Sequence, residues 1–195
     1  MNRRALLKTV MAGAALLLAS AHTPYRQWVV YRQRHLLILT SRGDGGSYAL
    51  GRNLAEVLAA RLPASQARVV RAPHLERIAS LISTKQMDVA LMARGDAAAL
   101  MAGREPFVGY GPVPLRAIAG FGAYLLICRD DFPARHAYLV AETLGENRGE
   151  LAAALTPAQG EGPEPDAVVP AHPGALAYYR GDPPPEDLVR EDGGG

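Results

Sequence analysis

Glycines and a hydroxyl group are concentrated in one stretch, SRGDGGSYALG, which runs from Ser41 to Gly51 between two apolar segments. A simple chain reversal needs one or two glycines, whereas three glycines just ahead of a helix leave several backbone amides uncovered. Such amides suit an anion. We predict that a ligand carboxylate binds there, with a hydroxyl as a further donor and an aromatic ring over the apolar part of the ligand, through Gly45, Gly46, Ser47 and Tyr48.

A second interpretation of the same stretch stays open. The glycines then only permit a tight turn from strand to helix, the Ser47 side chain caps the helix, and the Tyr48 ring belongs to the packing. Glycine-rich turns of this kind occur in both roles, so the sequence alone does not choose between them.

Charged residues after the next two apolar runs extend the predicted site. The segment RAPHLER carries Arg71, His74 and Arg77, which offer charged donors to a carboxylate, and the arginine fork binds carboxylate in a bidentate manner. Arg94 and Asp96 follow the third apolar run and complete the predicted ligand-binding set. The alternative is a solvated helix start whose charged side chains lie in water.

Patterns for catalysis and metal binding are missing from the sequence. The five histidines show neither HxxxH nor HExxH spacing, and there is no GxSxG or GxxxxGK[ST] segment. His74, Asp44 and Asp88 are the conceivable acid–base residues, and no nucleophile stands beside them in sequence. Cys128, the only cysteine, lies in the apolar run AYLLICRD and is predicted to be a buried core residue. We predict no enzymatic activity, no metal and no cofactor.

Alternating strands and helices are predicted to position these residues. Apolar runs predict strands at 36–40, 67–71, 87–92, 115–119 and 123–129. Helical periodicity predicts helices at 48–62, 75–84, 96–102, 133–144 and 175–179. The alternation indicates an α/β fold with a mainly parallel sheet covered on both faces. Carboxyl ends of parallel strands meet at one edge, so the candidate segments are expected to lie together there.

The first 21 residues have the pattern of an export signal. Two arginines and a lysine precede an apolar run at 10–19, which is short for a membrane span of ~20 residues, and small residues follow up to Ala21. We predict export with cleavage after Ala21, and the segment RRALLK is similar to a twin-arginine signal. An uncleaved membrane anchor is the alternative.

Charge along the chain argues against a nucleic-acid partner. Without residues 1–21 the net charge falls from +2 to −1, because 18 basic and 19 acidic residues remain. Residues 161–195 hold eight acidic and two basic residues, which leaves residues 22–160 at +5. That body attracts anions mildly, but its arginines are scattered and not interleaved with aromatic residues, unlike a nucleic-acid footprint.

Five segments resemble, in order, the TAXI-type solute-binding proteins of TRAP transporters: GGSYALGRNLAEVLA, STKQMDVALMARGDAAAL, PLRAIAG, LLICRDDFPARHAYLVAETL and VPAHPGALAYYRG. The first matches the family's glycine pair, hydroxyl, aromatic and Leu-Gly positions, and the last contains a closing motif similar to the family's, His172 to Ala175 followed by Tyr178 and Tyr179. The resemblance implies a periplasmic receptor with a type II periplasmic-binding-protein-like fold. Such a receptor binds a small organic acid or amino acid and presents it to a TRAP permease.

Length is the main departure from that family. Family members build a second lobe between the strands that correspond to PLRAIAG and LLICRDD, and here only Gly120, Phe121 and Gly122 separate Ala119 from Ala123. We therefore expect one three-layer lobe, completed by a homodimer or another protein, or else a non-transport sensor or scaffold that binds a protein partner. The predicted divisions are a signal peptide at 1–21, a linker at 22–35, the lobe at 36–155, a Pro/Gly-rich return segment packing on the lobe at 156–181 and a disordered acidic tail at 182–195.

Overall fold

A five-stranded sheet with strand order β2-β1-β3-β5-β4 organises the chain. The computed structural model describes residues 35–154 and 169–186, and the predicted signal peptide, residues 22–34 of the linker, residues 155–168 and residues 187–195 of the tail lie outside the described residues. The strands are β1 Leu37–Ser41, β2 Arg68–Ala72, β3 Val89–Ala93, β4 Leu115–Phe121 and β5 Tyr124–Arg129. The predicted α/β fold is confirmed.

Strand direction agrees with the sequence only in part. β1 pairs in parallel with both β2 and β3, as predicted, but β5 runs antiparallel to β3 and to β4. The predicted mainly parallel sheet therefore holds for β1, β2 and β3 only, and the strand predicted at 123–129 makes the sheet mixed. The reason is the two-residue connection from Phe121 to Tyr124, because adjacent strands joined by so short a turn can only pair antiparallel.

Six helices accompany the strands in the described residues: α1 Gly45–Arg61, α2 Leu75–Ser83, α3 Arg94–Ala102, α4 Ala134–Glu146, α5 Arg148–Ala154 and α6 Pro173–Arg180. Short 3₁₀ turns occur at Pro63–Ser65 and Val108–Tyr110. α1 begins three residues before the predicted start at 48, because Asp44 caps it and brings the glycine pair into the first turn. α5 had no counterpart among the predicted elements.

Two apolar clusters line opposite faces of the sheet. Ile38 of β1 packs with residues of α1 and α4, whereas Leu37 and Leu39 pack with residues of α2 and α3. All five residues of β1 are buried. The continuous apolar run HLLILT is explained by this burial on both faces, as predicted.

Gly51 allows α1 to lie close against the sheet. A Cβ atom at this position would come within 2.8 Å of Thr40 Cγ2 and 3.2 Å of Val69 Cγ2. The last glycine of the opening stretch therefore serves helix-to-sheet packing.

The motif His172-Pro173-Gly174-Ala175 follows a contact between the chain and β4, the outer strand at the opposite end of the sheet from β2. Ala171 forms a parallel bridge with Ala117 of β4, and the buried His172 caps α6 by accepting a hydrogen bond from Gly174 N at Nδ1, 3.1 Å away. His172 Nε2 lies 2.9 Å from the Phe132 carbonyl oxygen and donates to it in the neutral tautomer that the cap requires. The motif is thus a helix start that locks α6 onto its neighbours.

Cys128 is a core residue, as predicted. It is fully buried in β5, and its Sγ lies 3.6 Å from the Arg116 carbonyl oxygen. Burial raises the pKa of the Cys128 thiol, which keeps the sulfur protonated and unreactive.

Candidate functional site

The candidate segments meet where β1, β2 and β3 end, which we call the carboxyl edge of the sheet. Ser41 is in register with Ala72, so the connections that follow β1 and β2 leave the sheet side by side. Tyr124 pairs with both Ala93 and Phe121, which places the β4–β5 turn at the same edge. Parallel pairing of the first three strands therefore gathers the predicted residues as expected.

The N-terminus of α1 is occupied by the chain's own carboxylate. Asp44 Oδ1 accepts hydrogen bonds from Gly46 N at 3.1 Å and from Ser47 N at 3.3 Å. Ser47 is 1% exposed, and its hydroxyl donates to the Asp44 carbonyl oxygen at 3.0 Å. Asp44, rather than Ser47, is therefore the cap. The amides predicted to hold a ligand carboxylate already hold an internal one, while the Gly45 residue beside them stays exposed.

Tyr124 completes this arrangement from the β4–β5 turn. Its hydroxyl donates to Asp44 Oδ1 at 2.7 Å, and a Cβ atom on Gly46 would come within 2.5 Å of the same hydroxyl oxygen. Burial, the hydrogen bond to Asp44 and the negative charges of Asp44 and Asp96 raise the pKa of Tyr124 to about 12. Tyr124 therefore remains a hydrogen-bond donor at neutral pH, and the second glycine of the pair is needed to admit it.

Asp96 and Arg94 lie near this group, at the start of α3. Burial and the negative charge of Asp44 raise the pKa of Asp96. Arg94 donates through Nε to the Gly122 carbonyl oxygen, and its backbone N–H donates to the Ala123 carbonyl oxygen at 2.9 Å. Arg94 thus anchors the β4–β5 turn, and Asp96 contributes a second carboxylate to the edge.

Tyr48 and Arg71 form an aromatic–cation pair. The Arg71 guanidinium carbon lies 4.2 Å from the centroid of the half-buried Tyr48 ring. Such a pair contributes ~0.5–1 kcal/mol at an exposed position. The outward side of Arg71 presents charge to solvent beside an aromatic surface, so these two predicted residues are brought together.

His74 acts as the cap of α2. Its Nδ1 accepts from Arg77 N at 3.3 Å when unprotonated and lies 3.0 Å from Glu76 Oε2, to which it can donate when protonated. A hydrogen bond with its own backbone lowers the pKa of Glu76, desolvation opposes that shift, and the hydrogen bond and charge of His74 lower the pKa further. All three side chains are at least partly exposed, which fits the solvated helix start. Arg77 makes no ion pair with any residue in 35–154 or 169–186.

The three acid–base candidates do not share a site. Asp44 follows β1 at the carboxyl edge, whereas Asp88 precedes β3 at the other end of the sheet. Asp88 Oδ1 lies 3.0 Å from Arg129 Nη1; burial raises the pKa of Asp88, and the Arg129 charge opposes that increase. In the described part of the chain, no group of three or more His, Cys, Asp or Glu side chains is arranged to hold a metal ion.

Two residues of this edge were missed as ligand-site residues by the sequence reasoning. Asp44 carries a recognisable signal, since an aspartate just before a helix is a preferred N-cap. Tyr124 carries none, because a tyrosine at the start of an apolar run is typical of ordinary strand packing. Asp44 and Asp96 give the edge an acidic side near β3 and β5, whereas Arg71 and Arg77 form a basic side next to β2.

Compared with models of known protein families and with curated proteins, the chain matches none. Within the described residues, no helix is both long and apolar enough to cross a bilayer.

Proposed function

We propose that this chain is an extracytoplasmic solute-binding protein, a TAXI-like component of TRAP-type uptake of a small organic acid or amino acid. Its lobe is then a single three-layer lobe of the type II periplasmic-binding-protein-like fold. The observation that carries the proposal is the meeting of three crossover starts at one sheet edge, which holds both the Tyr48–Arg71 pair and the Asp44–Tyr124 pair. Ligands of open α/β sheets bind in this position.

The distribution of charge along the carboxyl edge indicates how such a ligand is oriented. Arg71 and Arg77 attract its carboxylate, and the Tyr48 ring covers its apolar part. If the ligand is an amino acid, Asp44 and Asp96 attract its ammonium group. The α1 amides bound to Asp44 add little, because that carboxylate already neutralises the helix N-terminus.

Affinity of one copy is expected to be weak. The edge is open, and ligand sites normally bury most of the ligand surface. Millimolar affinity corresponds to about −4 kcal/mol, and micromolar affinity requires a second surface from a homodimer or another protein.

One observation favours a second candidate function, a single-lobe sensor or scaffold that binds a protein partner without transport. β4 and β5 are joined by a two-residue turn, so no second lobe stands between these strands. The internal cap by Asp44 also leaves fewer free donors for a small anion.

Isothermal titration calorimetry with dicarboxylates, keto acids and amino acids separates the two candidates. We expect one class of ligand to bind, and Arg71→Ala and Arg77→Ala to weaken binding by about tenfold each, or ~1.4 kcal/mol. Arg104→Ala is the matched control, because Arg104 is exposed and follows α3 away from these arginines. If no ligand gives heat with monomer or oligomer, the sensor or scaffold is the better account.

A further inference from the structure

Among the strands of residues 35–154 and 169–186, β2 is the last on its side of the sheet. In the described residues it pairs only with β1. Arg68 N donates to the Leu36 carbonyl oxygen and Arg42 N donates to the Ala72 carbonyl oxygen, so the even-numbered residues of β2 are the ones bonded to β1. In a parallel ladder the alternate residues then direct their N–H and C=O groups away from β1. For β2 these are Val69 and Arg71, and we call this outward side the β2 edge.

The β2 edge is basic and has an apolar centre. Arg68 and Arg71 are exposed, and Val70 between them is 37% exposed. Two more exposed arginines lie beyond the carboxyl end of β2: Arg42, which directly follows β1, and Arg77, which lies in the first turn of α2. None of these four arginines forms an ion pair with a described carboxylate, whereas Arg52, Arg61 and Arg129 all do.

The direction of each side chain along β2 determines which residue types an added strand needs on each face of the sheet. Val69 packs with the cluster on the α1 side, and Arg71 stacks on Tyr48 of α1, so both point to that face. Arg68 and Val70 point to the opposite face, since successive strand residues alternate. A strand added here therefore meets an arginine on each face, at positions three residues apart, with two valines between them.

We infer that the β2 edge binds an acidic extended segment of a partner protein, which adds to the sheet as a further strand. The matching sequence has an acidic residue, two apolar residues and a second acidic residue. Main-chain hydrogen bonds to Val69 and Arg71 supply affinity, and the two arginines select the partner.

Two other occupants fit the edge less well. A second copy of this chain that paired through β2 would collect Arg68 and Arg71 of both copies at one junction, and the repulsion among these four like charges opposes such pairing. The chain's own acidic region lacks the required pattern: residues 187–190 read DLVR and end in an arginine, and residues 161–164 read EGPE with a proline that cannot donate a ladder hydrogen bond.

A labelled peptide of about ten residues with the central sequence Glu-Val-Val-Glu tests the inference by fluorescence anisotropy on the full chain. We expect wild type to bind it and Arg68→Glu to bind about tenfold more weakly. Two further peptides each have lysine in place of one of the two glutamates. The one whose lysine faces position 68 should restore binding to Arg68→Glu. Arg104→Glu makes the same change of charge at an exposed arginine outside β2 and should bind like wild type.

Amide hydrogen exchange provides a second measurement, which distinguishes main-chain hydrogen bonding at β2 from charge attraction alone. Peptide binding should slow exchange at Val69 and Arg71 and leave the amides of α6 unchanged. Four results would overturn the inference: no binding at about 1 mM peptide, equal weakening by Arg104→Glu, a wild-type dimer that Arg68→Glu dissociates, or tighter peptide binding when Glu191 and Asp192 are changed to lysine. The last two would identify a second copy or the chain's own tail as the occupant.

Discussion

Gly45 and Gly46 are neighbours in sequence but differ in what surrounds them. A Cβ atom on Gly46 would press against the Tyr124 hydroxyl, whereas nothing lies within 4 Å of a Cβ atom on Gly45. We expect Gly46→Ala to lower the free energy of unfolding by about 1–3 kcal/mol, because Tyr124 must move from Asp44 or the helix must shift. Gly45→Ala is the matched control and should change stability by less than about 0.5 kcal/mol. Urea unfolding measures both.

Equal stability of the two alanine variants would contradict the close approach at Gly46. Tyr124→Phe in the Gly46→Ala background separates the causes, since it removes the hydroxyl that the new methyl group meets. If that second change recovers none of the lost stability, the Tyr124 hydroxyl does not cause the effect.

The location of the candidate site at the N-terminus of α1 was predictable from the sequence, but the group that binds the helix amides was not. The glycine-rich stretch marked the N-terminus of α1 correctly, because such a pattern before a helix is visible in sequence. The group that binds its amides depends on the backbone angles of Asp44 and on Tyr124, which is 80 residues away along the chain. A contact of that sequence separation leaves no periodic pattern.

At the scale of elements, His172 holds the start of α6. His172→Ala would leave Gly174 N and the Phe132 carbonyl oxygen without their partner in a buried place. We expect a loss of about 2–3 kcal/mol in the free energy of unfolding, since each buried unsatisfied group costs about 1–3 kcal/mol. His172→Asn keeps an acceptor for Gly174 N and should lose less. An alanine variant as stable as wild type would show that neither hydrogen bond matters.

The same residue gives stability a dependence on pH. Burial lowers the pKa of His172 below its ordinary value of 6.5, a hydrogen bond to Phe132 and the charge of Asp130 oppose that shift, and the charge of Arg116 adds to it. The unfolded chain therefore takes up a proton before the folded one as pH falls below about 6.5, and the free energy of unfolding decreases. We expect wild type to lose more stability than His172→Asn on acidification, measured by urea unfolding above and below that pH.

Element positions and the parallel direction of β1, β2 and β3 were largely predictable, whereas strand order and the direction of β5 were not. Fully apolar runs such as HLLILT identify buried strands, and the structure places β1 there. The direction of β5 depends on the Gly122-Ala123 turn, which lacks the Asn-Gly or Asp-Gly signal of a tight hairpin. The outer position of β2 is set by which strands pair with β1, although the exposed Arg68 and Arg71 agree with an edge.

At the scale of the whole molecule, export remains a prediction. The apolar run at 10–19 and the small residues that follow predict that the mature chain begins at His22. We expect N-terminal sequencing of extracytoplasmic material to read His-Thr-Pro-Tyr. Replacing Ala19 and Ala21 with bulky residues should block cleavage, and the same changes at 24 and 26 are the control. An intact Met1 in wild-type material would favour the anchored alternative.

The β4–β5 turn makes the fold modular. Phe121 pairs directly with Tyr124, and Gly122 has a φ of 56°, so the chain leaves and re-enters the sheet at neighbouring points about 5 Å apart. A whole domain with adjacent termini can be grafted between these residues or excised from there while every strand keeps its order and direction. Adding or removing such a domain thus requires a single insertion or deletion and no reorganisation of the sheet.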